Sequence, residues 1–171
     1  TKDTLDPSMM SVRDFAVADF KGDEIPEGLT TPPVLANTLE ENAERALALI
    51  DGLDHEGNEA LKQELVDIRA WSHLSRYLAD KLRAAIELQK YRESRYNQPD
   101  SSHKLAATKH ILKAIAHWED LVDTTQFVYR IVPLTHFHKE NRNVYHWSLM
   151  LDEVRGDLDI IDKDQFGRFR D

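Results

Sequence analysis

The chain contains no cysteine, which excludes disulfides, thiol catalysis and thiolate zinc sites. Glycine is scarce, with 6 residues in 171. No Walker, G-x-S-x-G or dinucleotide-binding glycine pattern occurs, so phosphate-cradling loops are not expected. No apolar run approaches the roughly 20 residues of a membrane span. Bases are in deficit: 22 Lys and Arg stand against 31 Asp and Glu, for a net charge of −9. A nucleic-acid partner needs an excess of basic side chains to displace counterions from phosphates, so none is expected. A membrane partner is disfavoured on the same ground, because anionic headgroups repel an acidic surface.

What is present reads as helix. An apolar fraction of 41% and a charged fraction of 31% suit a helix-rich globular chain. The length fits one domain, residues 1–171, with core enough to need no staple. Asp6-Pro7 has the cap-plus-proline form of a helix start, and Met9, Val12, Phe15 and Ala16 follow at helical spacing. Thr31-Pro32 repeats that form. Val34, Leu35, Leu39, Ala43, Leu47 and Ile50 then make a stripe that ends near Leu53, between Gly52 and Gly57. A third, unusually long helix is expected over about Asn58 to Tyr96, on the order of 55–60 Å. A fourth runs from Ser102 to about Thr125, with Leu105, Ile111, Leu112, Ile115, Trp118 and Leu121 inward. Residues 126–143 lose the helical period, and Phe127, Tyr129 and Ile131 alternate as in an extended segment. A last helix is expected over about Val144 to Lys163. The expected fold is all-α: an antiparallel array of about five helices with one irregular extended connection. It divides into an N-terminal helix and loop (1–31), three core helices (32–125), and an irregular segment with the last helix (126–171). The opening TKDTLDP is neither a signal peptide nor a natural start, so the chain is expected to be mature or cut from a longer protein.

The long helix raises the main functional question. On a wheel of 100° per residue, Arg76, Asp80, Arg83, Glu87 and Lys90 share one stripe with alternating sign. Such pairs contribute only about 0.2–0.5 kcal/mol each, and the stripe reads as a solvated face. Leu61, Leu65, Ile68, Leu78, Leu82 and Ile86 read as core on the other side. Between them, Leu74, Tyr77, Lys81 and Leu88 form an apolar strip broken by a hydroxyl and an ammonium. Tyr77 and Lys81 therefore become candidates for a contact surface, against the plainer reading that each lays its stem on the core and its tip in water.

Chemistry-bearing residues gather late in the chain. His136 and His138 are two apart on an extended segment and so share a side. With His146 they offer a zinc or nickel set, but no H-E-x-x-H and no carboxylate at ligand spacing accompany them, and no metal or other cofactor is expected. Phe127, Tyr129, Arg130, Phe137, Tyr145, His146 and Trp147 supply aromatic faces with polar groups between them, a composition that permits a glycan site. Against it, Trp118 and Trp147 each fit an apolar helical stripe. The acid pairs Glu40-Glu41, Asp152-Glu153 and Asp157/Asp159 follow from composition. None lies in the apolar surround that would raise one carboxyl for acid catalysis, so no catalytic residue is assigned.

Four stretches occur in a recognisable order: Pro7-Ser8-Met9-Met10-Ser11-Val12, TPPVLA at Thr31 to Ala36, YLADKLRAA at Tyr77 to Ala85, and HILKAIAHW at His110 to Trp118. In that order the chain resembles the helical region near the C-terminus of large exported bacterial proteins of glycan degradation, which carry glycoside-hydrolase-type modules upstream. The resemblance implies a non-catalytic accessory or interaction domain of a larger carbohydrate-active protein, periplasmic or secreted, with neighbouring domains of the same polypeptide as partners. It carries no catalytic residue onto this chain. Two alternatives stand beside it. One is a carbohydrate-binding or glycoside-hydrolase-related domain with its site near residues 129–147, using Tyr129, Arg130, His136, His138 and Trp147. The other is a helical protein-recognition module with a peptide groove.

Overall fold

The computed structural model describes residues 6–95, 98–133 and 144–163. Five α-helices dominate them: α1 (Val12–Lys21), α2 (Pro32–Ile50), α3 (Glu59–Ser94), α4 (Ser101–Thr125) and α5 (Leu151–Lys163). Two short strands, β1 (Val132–Pro133) and β2 (Val144–Tyr145), pair antiparallel, and a 3₁₀ turn over Trp147–Met150 leads into α5. The all-α antiparallel array is thus what the chain forms.

The spine is α3. No glycine or proline occurs between Gly57 and Pro99, so nothing interrupts its hydrogen-bond ladder. The Asn58 side chain accepts from the Leu61 N–H at 3.0 Å and fixes the start. At the far end the Ser94 hydroxyl donates to the Tyr91 carbonyl and accepts from the Asp100 N–H. Asp100 in turn caps α4 through the Ser102 N–H. α4 packs along one side of α3, α2 and α1 along another, and α5 closes against α4. Helices α2 and α4 rest on α3 rather than on each other.

The α3–α4 seam is apolar and close-set. Ala70 and Ala84 of α3 and Ala107 and Ala114 of α4 are buried beside Tyr77, Leu88, Ile111, Ile115, Trp118 and Leu121. Small residues let the backbones approach, and Tyr77, midway between Ala70 and Ala84, packs edge to face on Trp118. Full burial of one large apolar side chain is worth about 1.5–3 kcal/mol. Exposed pairs such as Lys163–Asp159 contribute about 0.3–0.5 kcal/mol, so this seam dominates stability. A second, smaller cluster joins Phe15 and Ala16 of α1 to Ile86 of α3.

Several local expectations need correction. Asp6-Pro7 does not start α1. The Asp6 carboxylate instead accepts from the Ser8 N–H and hydroxyl, and residues 8–10 bridge to Thr30 through backbone hydrogen bonds. The helix begins five residues later, where the Ser11 hydroxyl accepts from the Asp14 N–H. It ends at Gly22, whose φ of 72° lets its N–H turn back to the Ala18 and Asp19 carbonyls. The last helix starts at Leu151 rather than Val144, because Val144–Tyr145 is drawn into pairing with β1. Val34, Leu78, Leu105 and Leu112 are exposed rather than inward. The charged stripe of α3 is not a solvated face: Asp80 is 2% exposed, and Arg83, Glu87 and Lys90 are largely covered.

Ala114→Leu will force side-chain volume into the α3–α4 seam, where Ala114 is fully covered. The expected cost is about 1–3 kcal/mol, read as a lower urea midpoint at unchanged slope.

Candidate functional sites

Two constellations stand out. The first is a polar seam along α3. His103, His110 and His117 recur every seven residues on α4 and so share a face, as Asp80 and Glu87 do on α3. The helices run antiparallel, so the ladders meet rung by rung. The His103 Nδ1 lies 2.7 Å from Glu87, and the His110 Nδ1 lies 2.8 Å from Asp80. The His117 Nε2 stands 3.5 Å from the other oxygen of Asp80. Arg83, 3.7 Å from Asp80, turns the other way to Glu40 at 2.6 Å and Asn37 at 2.9 Å on α2. Lys90 reaches Asp19 of α1 at 2.5 Å.

Burial by itself would raise the Asp80 carboxyl. Hydrogen bonds from His117 and His110, with Arg83 nearby, more than offset it and hold the group below its ordinary value. An ionised carboxylate only accepts, so His110 donates through Nδ1–H. Lys90 is pushed up: burial opposes its charge, but Asp19 and Glu87 outweigh that. Burial also depresses His73, against the opposing pull of Asp120. A cleft of about 260 Å³ opens beside the seam, with Asp19, Arg83, Lys90 and His110 in its wall. Arg83 and Lys90 each pair with a carboxylate, and His103 and His110 each lie within hydrogen-bond distance of one, so these groups are partnered within the fold. The arrangement ties four helices together, α1, α2 and α4 each to α3.

The second constellation lies where the chain leaves α4. The Tyr129 hydroxyl donates to Asp67 of α3, which anchors the segment to the spine. Burial and that bond push the Tyr129 hydroxyl up to about 12. Trp118 of α4 donates its indole N–H to the Trp147 carbonyl at 3.1 Å. Tyr77, Trp118, Trp147 and Tyr145 then stack edge to face in a chain, with successive centroids 4.8, 5.6 and 5.3 Å apart. Against this stack sits a half-open pocket of about 460 Å³. Tyr129, Tyr145 and Trp147 supply its rings, Val128 and Val132 its aliphatic wall, and Arg130 and His146 its polar groups.

The candidates from the sequence separate accordingly. Tyr129, Arg130 and Trp147 come together in this pocket, with Tyr145 and His146 beside them. His136, His138 and Phe137 lie outside the described residues. Among the described residues no group of three His, Asp or Glu is placed to hold a metal ion. Tyr77 and Lys81 meet each other instead: Lys81 donates to the Tyr77 hydroxyl at 2.9 Å and pairs with Asp157 of α5 at 2.8 Å. Burial would lower the Lys81 ammonium, but Asp157 and Tyr77 raise it overall. That strip is occupied by the chain's own α5. The histidine ladder of α4 was not singled out in the sequence. Its seven-residue spacing was the signal that could have found it.

No protein-family model, curated protein or solved structure matches the chain.

The raised Tyr129 hydroxyl has a pH consequence. A group whose folded value lies above its unfolded value of 10.0 stabilises fully below pH 10 and loses that contribution as pH rises through about 12. Tyr129→Phe is expected to be less stable than wild type at neutral pH by about 1 kcal/mol, for the lost bond to Asp67. The gap should close between pH 10 and 12 in alkaline unfolding curves.

Proposed function

We propose that the chain is a non-catalytic helical accessory domain of a larger carbohydrate-active protein, packed on a neighbouring domain of the same polypeptide and exported to the periplasm or beyond. The observation that carries the packing part is the apolar stripe on the open side of α3. Trp71 is 66% exposed and Leu78 42%, and Ala85 follows in the same row. These residues lie seven apart and so line one face of the helix. Ile160 of α5 is exposed as well and meets Ala85 at a small cleft. Single exposed apolar residues are ordinary, and their alignment in one row beside a cleft supports reading this face as an interaction surface. The carbohydrate context and the export come from the resemblance in Pro7–Val12, Thr31–Ala36, Tyr77–Ala85 and His110–Trp118.

A second reading has its own observation. The aromatic pocket around Tyr129, Tyr145 and Trp147 has a volume in the range of small-molecule sites, about 300–1,000 Å³. Ring faces with a few polar groups suit a sugar, so the same domain would bind glycan there. A peptide-groove module has no comparable feature in its favour.

Trp71→Lys and Leu78→Lys are expected to leave the stability of the 171-residue chain within about 0.5 kcal/mol, as surface changes do. In the longer polypeptide they should uncouple this domain from its neighbour, splitting one calorimetric transition into two. Identical calorimetric traces for the wild-type and substituted long polypeptide would remove the packing proposal.

A further inference from the structure

The pocket at the 128–147 end has in its wall a histidine with one ring nitrogen that the described fold leaves unmet. His146 is 5% exposed and belongs to the pocket wall. The Ser148 backbone N–H donates to its Nδ1 at 3.1 Å, and the Ser148 hydroxyl lies 2.7 Å from the same nitrogen. A ring nitrogen that accepts carries no hydrogen, so the imidazole proton sits on Nε2. That N–H is buried and has no hydrogen-bond partner among the described residues. An unmet buried donor is a standing cost that an acceptor oxygen removes. The charge in the wall points the same way. In a chain where acids outnumber bases by 31 to 22, the described lining contains Arg130 and no carboxylate.

We infer that this pocket binds a pyranose ring that bears a carboxylate. The ring lies on Tyr145 and Trp147, the carboxylate pairs with Arg130, and a ring or hydroxyl oxygen accepts from the Nε2–H of His146. The inference rests on the glycan reading of the pocket and adds the acidic class and the donor. Arg130 offers its planar fork to the carboxylate in a charge-assisted pair, stronger than the bonds it can make to the hydroxyls of a neutral sugar. Nε2 is shielded from solvent, so the oxygen reaches it through a rotamer change in the pocket wall, a common accompaniment of binding.

The test titrates D-glucuronate and D-glucose separately into the ¹⁵N-labelled 171-residue chain. The His146 ring and Trp147 indole signals are followed. Glucuronate is expected to shift both and to bind at least about fivefold more tightly than glucose. Arg130→Gln changes an exposed residue and should bring the two sugars level without altering the melting curve. Equal affinities in the wild-type chain would overturn the acidic assignment and leave the glycan reading standing. Binding of neither sugar would overturn both. A ring spectrum with the proton on Nδ1 would overturn the donor assignment whatever the sugars do.

Discussion

The carboxylate of Asp80 is the group on which the arrangement of helices turns. It lies in the middle of the longest helix, nearly out of water, and is satisfied from outside that helix by His110 and His117 of α4. Its neighbour Arg83 carries the network to Glu40 and Asn37 of α2. Taking such a charge out of water is expensive, and the expense is met only when its partners are in register. Helices α2 and α4 lie on α3 rather than on each other, so the polar seam is what sets their positions about the spine. Apolar burial supplies most of the stability but tolerates sliding, whereas a buried carboxylate between two imidazoles and a guanidinium does not.

The seam also explains why the charged stripe of α3 is covered while Leu78 is not, although Leu65 and Ile86 are buried as expected. A wheel drawn from the sequence gathers the charged residues on one stripe, but Leu65 falls at the same angle as Arg83 and is itself buried. The wheel cannot say which stripe meets a neighbour. The charged stripe is covered because α4 and α2 bring complementary groups to it, 30 and 43 positions away in sequence. The row containing Trp71 and Leu78 is open because no helix of the described chain lies over it. Tyr77 and Lys81, on the next strip, are claimed by Asp157 of α5 and by Trp118.

Legibility follows the range of the interactions. Helix boundaries set by local chemistry could be read directly: Thr31-Pro32, Asn58 after Gly57, and Asp100 after Pro99. Asp6-Pro7 misled because its side chain caps a turn held to Thr30, a partner that no local pattern shows. At the aromatic end, composition alone placed Tyr129, Arg130, Tyr145, His146 and Trp147 near one another, and the pocket unites them. The unmet Nε2–H of His146 was not legible, since it depends on Ser148 occupying the opposite ring nitrogen. The short hairpin of β1 and β2 was hidden for a similar reason: two residues per strand leave no period to detect.

The most direct measurement is a double-mutant cycle on Asp80→Asn and His110→Gln, with stabilities taken from urea unfolding at neutral pH. If the carboxylate fixes α4 on α3, the two changes share one interaction. Their effects should then fall short of additivity by about 1–3 kcal/mol. Additivity within about 0.5 kcal/mol would show that Asp80 and His110 act independently, and the polar seam would lose its place as the determinant of helix position.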